Sequence, residues 1–199
     1  SISSPIIKIA ILSIVIGFVT MLISIASGVG LQNKIYQKVS AFNGDIIISN
    51  FDTNFSDDSQ NPISTIQGSY PTFNSIEGIQ HIQATASKGG VIRTPNKFEG
   101  VVVKGVGKDY DWNYFNEFLI DGSLPDYSHL LTNKILISEY TSTRLNLKVG
   151  DKLNTFFFNS DNSKLPRSRS FKVSGIYNSG FNEFDEKFVI ADIRHIQRL

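Results

Sequence analysis

The residues with the means to do chemistry are few, and their spacing argues against a reaction. Gly105-Val106-Gly107-Lys108 has the outline of a phosphate loop, but that loop needs G-x-x-x-x-G-K-[ST]. Here Val102 stands at the first glycine position and Asp109 follows Lys108, so no backbone cradle for a phosphate is built. His81, His129 and His195 are far apart, with no H-E-x-x-H or comparable metal-ligand spacing. Asp57-Asp58 has the charge for a cation but lies in a polar, turn-rich stretch, where paired acids are solvated. Serine is abundant without a G-x-S-x-G elbow. Cysteine is absent, which excludes disulfides and thiol chemistry. The chain therefore reads as a non-enzyme, with no catalytic residues, cofactor or metal site.

Composition narrows the partners. The 199 residues carry 19 Lys+Arg against 18 Asp+Glu, a net charge of +1. No basic footprint for nucleic acid is present. Fifteen phenylalanines promise a real core, and the frequent Asn, Ser and Ile suit short strands and turns.

The elements that must position everything else begin with residues 5–26, PIIKIAILSIVIGFVTMLISIA. Lys8 is the one charge, and from Ile9 onward there is none. At 1.5 Å per residue this run reaches about 33 Å, enough to cross the hydrocarbon of a bilayer. It exceeds the apolar region of a cleaved signal peptide, so a membrane anchor is expected over residues 5–28. Residues 29–43 continue as an amphipathic stalk. Leu31, Ile35, Val39 and Phe42 recur at helical spacing, with Gln32, Lys34, Gln37 and Lys38 on the other side. Asn43-Gly44 is a helix stop. A surface helix lying on its own domain is the alternative. The vulnerable point of a continuous rod is Ser27-Gly28-Val29-Gly30.

Beyond the stalk, DIIIS (45–49) reads as a buried strand and 50–62 as a long polar loop. PTFNSIEG (71–78) reads as a short helix opened by Pro71. IQHIQATASKGGVIRT (79–94) is expected as a strand with a Gly89-Gly90 bulge. Pro95-Asn96-Lys97 is a turn, and FEGVVVKGV (98–106) a strand buried on both faces. Residues 109–122 are helix or turn-rich, with Trp112, Phe115, Phe118 and Leu119 on one side. NKILIS is a strand, Ser138 caps the helix EYTSTRLNL, and Gly150-Asp151 turns the chain into a further strand. A polar hairpin tip over 158–170 leads to the strand FKVSGIY. EKFVIA is the last strand, and Asp192 caps a closing helix.

Three blocks carry a resemblance. The first is IGFVTMLISIASGVGLQNKIYQKVSAFNGDIII. The second is VVVKGVGKDYDWNYFNEFLIDGSL…NKILISEYTSTRLNLKVGDKLNTFF, with its L-x-V-G-D. The third is FKVSGIYNSGFNEFDEKFVIADIRHIQRL. Their order resembles the extracytoplasmic core domain of ABC-transporter permeases of the MacB, FtsX and lipoprotein-releasing type, and the third block looks closest to the LolC and LolE type. The resemblance implies an α+β fold: the N-terminal transmembrane helix and stalk, then a membrane-proximal porter-like lobe (44–105 and 181–199). A mainly-β, sabre-like lobe (106–180) is inserted into that lobe. It implies ATP hydrolysis in a separate cytoplasmic ABC ATPase, a second permease copy or paralogue, and further membrane helices outside these 199 residues. The location implied is the bacterial inner membrane, with the main domain periplasmic. In the lipoprotein-releasing type a hairpin docks a periplasmic lipoprotein carrier. The matching stretch here is 159–169, where Lys164, Leu165, Pro166, Arg167 and Arg169 would form the docking surface. Leu31, Ile35, Val39 and Phe42 would then face acyl chains, membrane lipid or the partner stalk. Two other readings stand beside it: a MacB-like efflux or mechanotransmission permease that contacts a periplasmic adaptor, and a membrane-anchored binding domain without any ATPase.

Overall fold

The structure, a computed structural model, describes residues 3–51, 61–73, 76–113, 115–158 and 165–199. It falls into two units, Ser1–Ile47 and Ile48–Leu199.

The first unit is a single helix, α1 (Ser3–Asn43), 41 residues long. At 1.5 Å per residue it measures about 60 Å. Every side chain from residue 5 to residue 26 is exposed, and the helix is long and apolar enough to cross a membrane. The helix does not break at Gly28 or Gly30. In an interior turn, glycine costs only about 1 kcal/mol, and the ladder runs on through it from Ala26 to Leu31 and Gln32. Ser13, Thr20 and Ser24 return their hydroxyls to carbonyls three or four residues back, at 2.9–3.0 Å. Their polar atoms are thereby satisfied within the helix.

The second unit is built on seven strands: β1 (Thr85–Arg93), β2 (Phe98–Val106), β3 (Leu119–Gly122), β4 (Lys134–Ser138), β5 (Lys152–Phe157), β6 (Arg167–Tyr177) and β7 (Phe188–Asp192). Their order is β3-β6-β4-β7-β2-β1-β5, and β5 also pairs with β6. Six strands therefore close on themselves, with β3 added beside β6. The pairs β2–β7 and β4–β6 are parallel and the others antiparallel. Short helices α2 (Glu139–Leu145), α3 (Asn182–Asp185) and α4 (Ile193–Ile196) complete the α+β fold.

Alternation along the strands fills the inside. Ile92, Val101, Val103, Ile135, Leu153, Phe157, Phe171, Val173 and Val189 form one core with Leu145, Leu147 and Ile196. The opposite face of β4 and β7 is covered as well, so both strands are buried almost throughout. An aromatic cluster includes Tyr110, Trp112, Phe115, Phe118, Tyr127 and Tyr177, with ring centroids 4.8–6.4 Å apart.

Several expectations change. Residues 45–49 form no strand: Ile46, Ile47 and Ile48 are 83%, 68% and 70% exposed. Isoleucine favours a strand through packing against neighbours, and no strand pairs with these residues among the described ones. Positions 71–73 and 76–78 are turn and irregular rather than helix. β1 begins at Thr85, so residues 79–84 stay outside it. No bulge occurs at Gly89-Gly90, which pair in unbroken register with Val102 and Val101. Gly90 instead lets β5 approach, since a Cβ there would lie 3.0 Å from Thr155 Cγ2 and 3.1 Å from the Phe156 carbonyl. In the sheet, β4 and β6 pair into the same circuit as β2 and β7. Asp57-Asp58 lies outside the described residues.

Candidate functional site

The apolar stripe of the stalk keeps its helical alignment. Leu31, Ile35 and Val39 are exposed, while Phe42 is 1% exposed. Lys34 is exposed and Lys38 half-buried. Among the first 44 residues there are three lysines and no acid. The stripe is thus apolar, with cationic neighbours.

The second candidate is the hairpin between β5 and β6. Its residues 159–164, Lys164 included, lie outside the described residues. Leu165, Pro166 and Arg167 are exposed and Arg169 is half-buried. The two arginines bond to backbone carbonyls rather than standing free. Arg167 Nη1 donates to the carbonyls of Arg198 (3.1 Å) and Leu199, and Arg169 Nη2 donates to the Arg198 carbonyl at 3.2 Å. Both guanidinium groups therefore tie β6 to the residues after α4. Beside the hairpin base lies an open cleft of about 530 Å³, with Phe98, Phe156, Phe158 and Pro166 in its lining and Arg93 and Lys97 at its rim.

The three histidines are separate. His81 Nε2 lies 2.6 Å from the Asp109 carbonyl and His195 Nε2 lies 2.9 Å from that of Thr132. A carbonyl only accepts, so each ring donates there. His129 is exposed, 4.0 Å from Asp126. No cluster of three or more potential metal ligands occurs among the described residues. The loop after Gly107 serves packing: the Asp109 carboxylate accepts from Tyr70 Oη at 2.9 Å and from the Ala84 amide at 2.7 Å. The Gln83 amide oxygen accepts from the Asp111 amide at 3.0 Å.

Sequence reasoning placed the Asp192 cap but missed the Arg194 guanidinium contacts gathered around it. Asp192 caps α4 through the Arg194 amide at 3.0 Å and accepts from its guanidinium at 2.5–3.1 Å. The same guanidinium reaches the carbonyls of Tyr127, His129 and Leu130. Burial would raise the Asp192 carboxyl, but bonds from Arg194 and from the Thr132 amide hold it below the usual range. The D-x-R spacing in the last turn-forming stretch was the available signal. Lys104 was missed too. It is 6% exposed, and burial brings its amine down to about 8.

Residues 9–199 match the model of the MacB-like periplasmic core domain. The chain belongs to this family. It is an extracytoplasmic domain of the ABC-transporter permease type, preceded by one apolar helix long enough to span a membrane. No curated protein sequence matches it. Among solved structures it is similar to the extracellular domain of the noncanonic ABC-type transporter YknZ from Gram-positive bacteria, at 14% identity and a TM-score of 0.43. That similarity covers 62% of this chain and 60% of the YknZ chain.

Proposed function

We propose that this chain is the first membrane helix and extracytoplasmic domain of a permease that releases lipoproteins from the inner membrane. A separate cytoplasmic ABC ATPase supplies the work, and a second permease copy or paralogue completes the assembly. The observation that carries this reading is α1, unbroken from Ser3 to Asn43. A helix that leaves the bilayer without a swivel passes displacement outward, whereas a tether needs no such continuity. The stripe Leu31, Ile35 and Val39 is then the face for acyl chains or for the partner stalk. The hairpin of residues 159–169, with its cleft, is the docking surface for a periplasmic lipoprotein carrier.

Since Arg167 and Arg169 hold the residues after α4, reversing them would confound docking with packing. The cleaner variant is Lys164→Glu with Leu165→Asp in the full permease. Capture of a purified periplasmic lipoprotein carrier is expected to fall about tenfold, the effect of losing roughly 1.4 kcal/mol. Unchanged carrier capture would remove the docking role. Capture of an efflux-type adaptor in place of the carrier would favour the MacB-like reading.

A further inference from the structure

Tyr36 and Ser40 stand one helical turn apart on α1, so their hydroxyls line one face. Gly44 takes φ +72°, a left-handed conformation that glycine adopts without strain. Its amide donates to the Ser40 carbonyl at 2.7 Å, which closes the helix. The chain reverses there, and Asp45 lays its carboxylate back over the last turns. Asp45 Oδ1 accepts from Tyr36 Oη at 2.8 Å and from Ser40 Oγ at 2.6 Å. Both bonds are charge-assisted, and the one from Ser40 is short.

The position runs against the electrostatics of the helix. A C-terminal turn presents unpaired carbonyls and a partial negative charge, which favours a cation. Asp45 is nevertheless the first acidic residue of the chain. Bonds from Ser40 and then Tyr36 hold its carboxyl below the ordinary range. Stopping the helix requires only the glycine turn. The carboxylate adds something else, because a glycine in a bare turn is a free swivel.

We infer that Tyr36, Ser40 and Asp45 form a clasp that fixes the direction in which the chain leaves α1. Movement of the helix then reaches the backbone after Gly44 instead of being lost in rotation at that residue. The transmission role rests on the mechanical reading proposed above, while the clasp itself does not.

The test uses the full permease with its ATPase in lipid nanodiscs. Hydrogen exchange of the Gly44 amide reads closure of the turn, and substrate released per ATP hydrolysed reads transmission. Asp45→Ala is expected to speed Gly44 exchange by about fivefold. Tyr36→Phe and Ser40→Ala should each do so by less, and Tyr36→Phe combined with Asp45→Ala by no more than Asp45→Ala alone. Asp45→Asn, whose amide oxygen still accepts, should lie nearer the wild type. Release per ATP should fall severalfold in Asp45→Ala, with ATPase activity retained. Unchanged Gly44 exchange, or additive effects in the double variant, overturns the clasp. Faster exchange with unchanged release per ATP overturns its part in transmission. Absence of ATP-driven release in the wild type refutes the permease reading instead, and Gly44 exchange alone then decides whether the clasp exists.

Discussion

Arg194 joins several parts of the fold at one side chain: the α4 cap, a buried carboxylate and the loop before β4. Its fork geometry is what lets one residue reach Asp192 and three carbonyls together. Arg194→Lys keeps the charge and loses the fork. A loss of about 2 kcal/mol in unfolding free energy is expected, read from thermal or denaturant unfolding; a loss below about 0.5 kcal/mol would place the restraint elsewhere. His195, next along, is lowered in pKa chiefly by burial, against opposing effects of the Thr132 carbonyl and Asp192. Arg169 and Arg198 add to the lowering. The folded state thus favours the neutral ring, and the unfolded chain binds the proton more readily. The stabilising contribution is full above about pH 6.5 and is lost as pH falls from there towards the folded-state value. Stability followed from pH 7 to pH 5 should decline, and His195→Asn should flatten that part of the profile. Lys104 follows the same sign at higher pH: its amine at about 8 in the fold disfavours folding wherever it must be charged.

At the scale of elements, α1 was legible because its signals are local. Apolar content, 3.6-residue spacing and the Asn43-Gly44 stop act over a few residues each. The same holds for the caps Ser138, which accepts from the Thr141 amide, and Asp192. Gly28 and Gly30 are weak helix formers in the stalk half of the rod, and no atom lies within 4 Å of a Cβ built at either. Gly28→Ala and Gly30→Ala should therefore keep or raise helicity, by about 0.5–1 kcal/mol each. Gly28→Pro removes a backbone bond and adds a clash, at a cost of about 3 kcal/mol. It is expected to abolish transport while circular dichroism and Trp112 fluorescence show the second unit intact. Residues 45–49 illustrate the opposite case. DIIIS has the composition of a core strand, but composition does not supply a neighbour. Since Ile47 is exposed, Ile47→Asp should shift stability by less than about 0.5 kcal/mol; a loss of several would mean that it is buried in the working assembly.

At the scale of the molecule, the closed circuit β6–β4–β7–β2–β1–β5 runs through segments on both sides of the lobe boundaries that the family resemblance implies. Hydrogen-bonded ladders cross the expected boundaries near residues 105 and 180 through β2, β7, β4 and β6. The second unit should consequently unfold in one transition. Trp112, the single tryptophan, reports the aromatic cluster, and exchange of β5 amides reports the far side of the circuit. Coincident denaturant midpoints are expected; two separated transitions would restore independent lobes.

The sequence by itself determined the long apolar helix, most strand positions, two helix caps and the family. Each of these is written in local periodicity, in short-range cap chemistry or in an ordered set of motifs. Tertiary structure alone decided which strands pair, that Gly90 marks a close approach rather than a bulge, and that Ile46–Ile48 stand outside the sheet. It also decided that Arg167 and Arg169 bind neighbouring carbonyls. These outcomes depend on groups tens of residues apart meeting in space, and burial and pairing energies that arise from such meetings leave no mark on any single stretch of chain.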